Sequence, residues 1–213
     1  FIATDFLSGV QSAFKRTMNH ADVRFAYGLQ DDAFITALEM NLFHFSAGKT
    51  LAEIQELNKA FRESGNFQEF SKKAEQICGT FNKTWQKTEY ETAVLTAESA
   101  SNYHRLMGKT KMFPYWKYVT AGDEKVREEH RKLDGVILPA NHARWKKIFP
   151  PNGWKCRCRV VPLMKHEVEG IDINAMRAIV DEYLGTSEWK MNEAQGWDSN
   201  RGETAEVFGK NQH

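Results

Sequence analysis

Residues 115–163 read YWKYVTAGDEKVREEHRKLDGVILPANHARWKKIFPPNGWKCRCRVVPL, and the reading of this stretch decides the fold. It holds the two closely spaced cysteines, two of the seven histidines, four of the five prolines and a dense basic run. Pro114 ends the helical pattern before it, and residues 115–119 are aromatic and β-branched, the composition of a strand. Gly122 and Asp123 open a predicted helix over residues 123–134, with Gly135 as its left-handed stop. Residues 136–139 predict a short edge strand ending in Pro139. The run Pro150-Pro151-Asn152-Gly153 predicts a rigid turn that delivers the chain to a further strand over 155–162.

The chemistry-bearing residues lie on these predicted elements. Asp123, Arg127 and His130 are spaced by four and three, so on a helix they share one face. Two readings stand for them. One is a helix ion pair beside a half-buried histidine, worth roughly 0.2–0.5 kcal/mol; the other is a polar constellation turned toward a site. On an extended strand Cys156 and Cys158 point one way and Arg157 and Arg159 the other. Thiols one residue apart on a strand are poorly placed to bond each other. They are placed to grip one metal ion or to sit in a packed layer. With His130 and His142, or with His130 and a carboxylate, they make a donor set whose natural metal is zinc. The Cys-x-Cys spacing is shorter than the usual zinc knuckle, so packed thiols stand as the alternative. Residues 141–163 contain no acid but carry Arg144, Lys146, Lys147, Lys155, Arg157 and Arg159, with Trp145 and Trp154 between them. That mixture suits contact with DNA or phosphate, the alternative being solvated surface.

Working outward, Phe34, Leu38, Leu42 and Phe45 form one helical stripe, predicting a helix over 32–47 that Gly48 stops. Thr50 and Glu53 read as a capping box for a second helix with the stripe Leu51, Ile54, Leu57 and Phe61. Gly65 and Asn66 end it and cap a long helical run over 67–107, with Gly79 as a break and Cys78 as a buried, inert thiol. Residues 1–30 are weakly patterned, with Phe6, Val10 and Phe14 at helical spacing. Beyond Met164, Ala175, Ile179 and Tyr183 predict an amphipathic helix over 173–184, stopped by Gly185. The remainder reads as an extended tail whose Trp189, Trp197 and Phe208 fold back on the domain or dock on a partner. The expected fold class is α+β, a helical N-terminal half packed on a small β-sheet-containing C-terminal half. Residues 1–110 are the mainly helical scaffold, 111–165 the motif region with short strands and 166–213 the helix and tail, in one continuous domain.

A chain of 213 residues can bury a proper core without a disulfide framework. Three cysteines, an odd number, point to a reducing compartment. No leader-like segment and no apolar run of about 18 residues is present, which predicts a soluble chain with no membrane partner. The net charge of +1 means that attraction to nucleic acid has to come from local patches. Beginning at Phe1 rather than Met, the sequence reads as a fragment.

Several of these residues, in order, carry a resemblance. Thr88-Glu89-Tyr90 with Thr92-Ala93 is followed by Tyr118, Thr120, Asp123, Val126-Arg127, His130, Leu133 and Gly135, and then by Pro150-Pro151-Asn152-Gly153-Trp154 with Cys156-Arg157-Cys158. The series resembles the phage Mu F-like minor head proteins, a family related to the SPP1-type head morphogenesis proteins, over roughly residues 34–165. Each piece alone is weakly specific; their order is what is specific. The resemblance implies a virion protein of a phage or prophage that works with the portal and other head proteins during assembly in the host cytoplasm. Some relatives carry cysteines where this chain has Arg127 and His130. His130 can serve as a metal ligand there and Arg127 cannot, so a fourth ligand would have to be His142, Asp123 or Asp134.

The leading expectation is therefore a structural and interaction protein, not an enzyme, with Asp123, Arg127, His130, Cys156 and Cys158 as a fold-locking cluster and no small-molecule substrate. Its rival is a metal-dependent nuclease or hydrolase using the same His130, Cys156 and Cys158, which needs a carboxylate beside the metal. Glu128 and Glu129 are turned away from His130 by helix spacing, the zinc deaminase signature is absent, and nothing supplies an oxyanion site for a Cys–His protease. A plain DNA-binding module is the third class.

Overall fold

The computed structural model describes residues 30–209, 211 and 212; Phe6, Val10 and Phe14 lie outside the described residues. Helices occupy the N-terminal half of what is described, and a three-stranded antiparallel sheet lies in the C-terminal half. Helix α1 (Gln30–Arg62) runs straight through the expected boundary at Gly48. A glycine inside a helix costs only about 1 kcal/mol, and the buried face made by Leu38, Leu42 and Phe45 continues across it to Lys49. Thr50 does not cap anything: its hydroxyl donates back to the Ser46 carbonyl at 2.9 Å. Asn66 does cap α2 (Phe67–Gly79), its side-chain oxygen accepting from the Glu69 amide at 3.0 Å. Past Gly79 the helix widens into a π-helical segment, Thr80–Trp85, and resumes as α3 (Gln86–Met107).

The stripe on the second half of α1 is not buried as its periodicity suggests. Leu51, Ile54 and Phe61 are exposed, as are Phe67 and Trp85, and α2 buries no residue at all. Cys78 is half-buried rather than enclosed. Nearer its N-terminus α1 shares an apolar cluster with α3, Leu38, Leu42 and Phe45 with Ala93 and Ala97. A buried ion pair also joins the two helices, Lys49 Nζ to Glu89 Oε2 at 2.5 Å.

In the sheet β1 (Tyr115–Val119) is central, flanked by β2 (Ile137–Pro139) and β3 (Arg159–Leu163). Trp116 lies opposite Leu138 and Pro162, and Tyr118 opposite Val160. Both aromatic side chains are fully buried. Trp116 meets Tyr103 of α3, Phe149 and Trp145 with ring centroids 5.8 to 5.9 Å apart, so one aromatic cluster joins sheet and helix. Trp145 begins the short α5 (Trp145–Ile148).

Two expectations within the motif stretch need correction. The helix predicted over 123–134 shrinks to α4 (Glu128–Arg131). Asp123 accepts from the Lys125 amide at 3.1 Å, a local bond that competes with helix formation, and Arg127 has an extended backbone. Asp123, Arg127 and His130 therefore do not share a helix face. The strand predicted over 155–162 begins only at Arg159, because its partner β1 ends opposite that residue and Lys155 is left-handed with φ of 55°.

The C-terminal region is not an extended tail. Asp172 caps α6 (Ile173–Leu184), which buries Val180 and Tyr183 and turns Ile179 outward, since the Ile173, Met176 and Val180 stripe offers more apolar area than the expected one through Ala175. Then come α7 (Ser187–Ala194) and α8 (Arg201–Thr204). Trp189 and Trp197 are completely buried, and Phe208 stacks on Phe45 of α1 with centroids 4.0 Å apart. The Asn41 side chain on α1 pairs with the returning backbone, donating to the Phe208 carbonyl at 2.9 Å and accepting from the Val207 and Phe208 amides at 2.8 and 2.9 Å. Gly202 lies against Tyr103, where a Cβ would sit 2.5 to 2.6 Å from three Tyr103 atoms. Among the described residues no helix is long and apolar enough to cross a membrane.

Candidate metal centre

His130 stands on α4, and Cys156 and Cys158 on the irregular segment that leads into β3. The left-handed Lys155 redirects that segment so that both thiols face the imidazole. Cys156 Sγ lies 3.7 Å and Cys158 Sγ 3.6 Å from His130 Nδ1, and all three side chains are buried. His130 Nε2 is engaged on the opposite edge of the ring, 3.1 Å from the Asn152 carbonyl oxygen. A carbonyl can only accept, so Nε2 carries a hydrogen and, in the neutral ring, Nδ1 offers its lone pair to the sulfurs.

Asn152 is the residue that sequence reasoning missed, having been read only as part of a turn. It is completely buried, its Oδ1 accepts from Tyr118 Oη at 3.0 Å, and its Nδ2 donates to the Lys147 carbonyl at 3.3 Å. The only signal for it is its place between two prolines and a glycine, where a polar side chain cannot be absorbed by regular structure.

Asp123 and Arg127 act on the cysteine segment separately and not on each other. Asp123 makes a two-pronged pair with Arg157, at 2.5 and 2.7 Å, which grips the residue between the cysteines. Arg127 donates to the Trp154 carbonyl at 2.7 Å, lying over Gly153, where a Cβ would come within 3.1 Å of its guanidinium. Asp134 closes the base of the loop, accepting from the Thr120 amide and hydroxyl at 2.7 and 3.0 Å.

The surroundings shift the two thiols in opposite directions. The Cys156 thiol is held well below its ordinary range by a hydrogen bond from Cys158 and by His130, against the opposing effect of burial. Cys158 is pushed up by its bond to Cys156 and by burial. Asp123 is lowered to about 2 by the Arg157 guanidinium. Beside the sulfurs is a cavity of about 20 Å³ bordered by Lys125, Arg127, Lys155 and Arg157.

His142 is not brought to this cluster. It occupies the turn after β2, accepts from the Arg144 amide at 3.2 Å and faces Arg144, Arg177 and Asp181. Among the described residues no carboxylate joins the three ligand atoms, so Asp123 and Asp134 do not complete the set either. Glu128 pairs with Arg131 at 3.0 Å, and Glu129 lies 3.9 Å from Arg127.

The six cations of the basic run are mostly spoken for. Arg144 pairs with Asp181, Lys147 with Glu193, Lys155 with Glu91 and Arg157 with Asp123, at 2.5 to 2.9 Å. Lys146 and Arg159 are the exposed members with no ion pair among the described residues. Trp145 is buried, and Trp154 packs on Trp197 and Phe208, so neither is a free stacking platform for a base.

The sequence has counterparts among known proteins. No solved structure matches this chain. The putative capsid assembly protein F of Escherichia phage Mu is 38% identical over 73 residues, which are 34% of this chain and 17% of that protein. The Mu-like prophage FluMu F protein of Haemophilus influenzae is 37% identical over 83 residues, 39% of this chain and 20% of that protein. An uncharacterized protein of Methanocaldococcus jannaschii is 47% identical over 47 residues, 22% of this chain and 7% of that protein. The chain thus spans a fifth or less of the length of these curated relatives. The family model described as phage Mu protein F like protein matches residues 53–161, just over half of the chain, from the second half of α1 through the His130, Cys156 and Cys158 cluster into β3, and the chain belongs to that family.

Proposed function

We propose that this chain is a phage or prophage head component that acts in capsid assembly within the host cell. The observation that carries the reading is the family match over residues 53–161, with two relatives named as a capsid assembly protein F and a prophage F protein. Its partners on this reading are other head proteins, and the portal is the first to test, since it organises the vertex at which a scarce head component would act. The chain acts there as a structural element and stays with the virion. The nuclease or hydrolase reading has less support at the site, because among the described residues no carboxylate joins the three ligand atoms. DNA contact is a lesser property at most, with four of the six candidate cations held in ion pairs.

The test is deletion of the corresponding gene in its phage or prophage, followed by electron microscopy of the particles. Site-specific photo-crosslinking from the exposed face of α1 is done in parallel. The reading expects a deficit of complete heads and crosslinks to head proteins, the portal among them. Normal yields of filled heads without the chain would overturn it.

A further inference from the structure

We propose that His130 Nδ1, Cys156 Sγ and Cys158 Sγ bind one zinc ion, with solvent as the fourth ligand. The site is independent of the assembly role. It rests first on spacing. Ligands at about 2.3 Å (sulfur) and about 2.05 Å (nitrogen) from a tetrahedral zinc are about 3.6 Å from one another across the S–N edge. The two S–N separations here are 3.7 and 3.6 Å, and all three ligand atoms lie within 4.8 Å of one another.

The alternative, a packed layer of thiols, explains this less well. A neutral imidazole nitrogen has one lone pair, and two thiols converge on it in a buried place. One S–H bond satisfies that lone pair, so hydrogen bonding alone does not require both sulfurs at the same distance from it. A metal ion satisfies both sulfurs and the nitrogen at once.

The surroundings are also those of a ligand set. The His130 ring is oriented by a hydrogen bond from its other nitrogen to a backbone carbonyl, which fixes the tautomer that a metal requires. The Asn152 residue supplying that carbonyl is itself held through its side chain by Tyr118 and Lys147. Two thiolates and a divalent cation sum to zero charge. Lys125, Arg127, Lys155 and Arg157 around the cavity stabilise the negative charge of sulfur ligands. The thiol protons leave to solvent as the ion binds. The cavity of about 20 Å³, lined by His130, Cys156 and Cys158 themselves, exceeds the roughly 10–15 Å³ that one water needs.

The experiment uses the 213-residue chain, reduced, stripped with a chelator and titrated with Zn²⁺ by calorimetry and with Co²⁺ by absorption. The expected result is one equivalent of either ion. Bound Co²⁺ should show the intense d–d bands of a tetrahedral site and a thiolate charge-transfer band. That band should fall to about half in Cys156→Ser and in Cys158→Ser, and added azide should shift the d–d bands by exchanging with the solvent ligand. If a serine variant fails to fold, the wild-type Co²⁺ spectrum carries the test alone, because the charge-transfer band reports sulfur ligation directly. Failure of the folded wild-type chain to bind Zn²⁺, or Co²⁺ binding without a thiolate band, overturns the site. Azide-insensitive bands overturn the solvent ligand.

Discussion

The two ends of the family-matched segment are built in opposite ways. Around the sheet, short irregular pieces are locked by buried aromatics and by side chains that grip backbone: Arg127 on Trp154, Asp134 on Thr120 and Asn152 on Lys147. In the hairpin of α1 and α2 the secondary structure is long and regular, yet Leu51, Ile54, Phe61 and Phe67 stand in solvent and α2 buries nothing. Regular helices need no tertiary partner to satisfy their backbone, so the hairpin can leave its apolar side uncovered. The irregular segments have no such freedom. Their backbone groups must be met by side chains, so each residue there is constrained by a particular partner, and most of the family pattern falls among them.

Substitutions can break or sharpen this contrast. The largest effect is expected at Trp116, at the centre of the aromatic cluster. Trp116→Ala should cost about 3–5 kcal/mol in denaturant unfolding, and a loss under 1 kcal/mol would mean the sheet does not depend on that cluster. Gly202→Ala should cost about 1–3 kcal/mol, because its new methyl meets the Tyr103 ring and Cβ at 2.5 to 2.6 Å, and the thermal midpoint reads it directly.

A smaller effect belongs to Asp123. Its folded carboxyl sits lower than in the unfolded chain, so its pairing with Arg157 stabilises the fold above the ordinary carboxylate range and is lost as pH falls toward about 2. A carbon-detected NMR titration should find that low midpoint in wild type and a normal one in Arg157→Ala. At the far end of the scale, Phe67→Ser on the exposed hairpin should change monomer stability by no more than about 0.5 kcal/mol. A larger loss would show that the hairpin is covered in solution.

Much of the fold was legible because it rests on local rules. The capping Asn66, the helix ending at Gly185, the strand after Pro114 and the left-handed Gly135 are each written within a few residues. The misreadings came where local signals compete with distant contacts. Gly48 and Thr50 look like a helix boundary, but the buried Phe45 and Lys49 on either side of Gly48 carry α1 through. Asp123, Arg127 and His130 look like one helical face, but Asp123 and Arg127 are each drawn to the segment at 154–157.

The sequence by itself determined the α+β class, the family and the three residue types of the candidate centre, since composition, order and spacing are properties of the chain alone. Only the tertiary structure decided which of these residues meet. It put His130 against both cysteines and left His142 elsewhere, and it revealed the buried Asn152 behind the imidazole. It also paired most of the basic run with acids remote in sequence. The physical reason is that a side chain's partner is set by the three-dimensional return of the chain, over separations of 22 to 64 residues here, and no local pattern encodes that return.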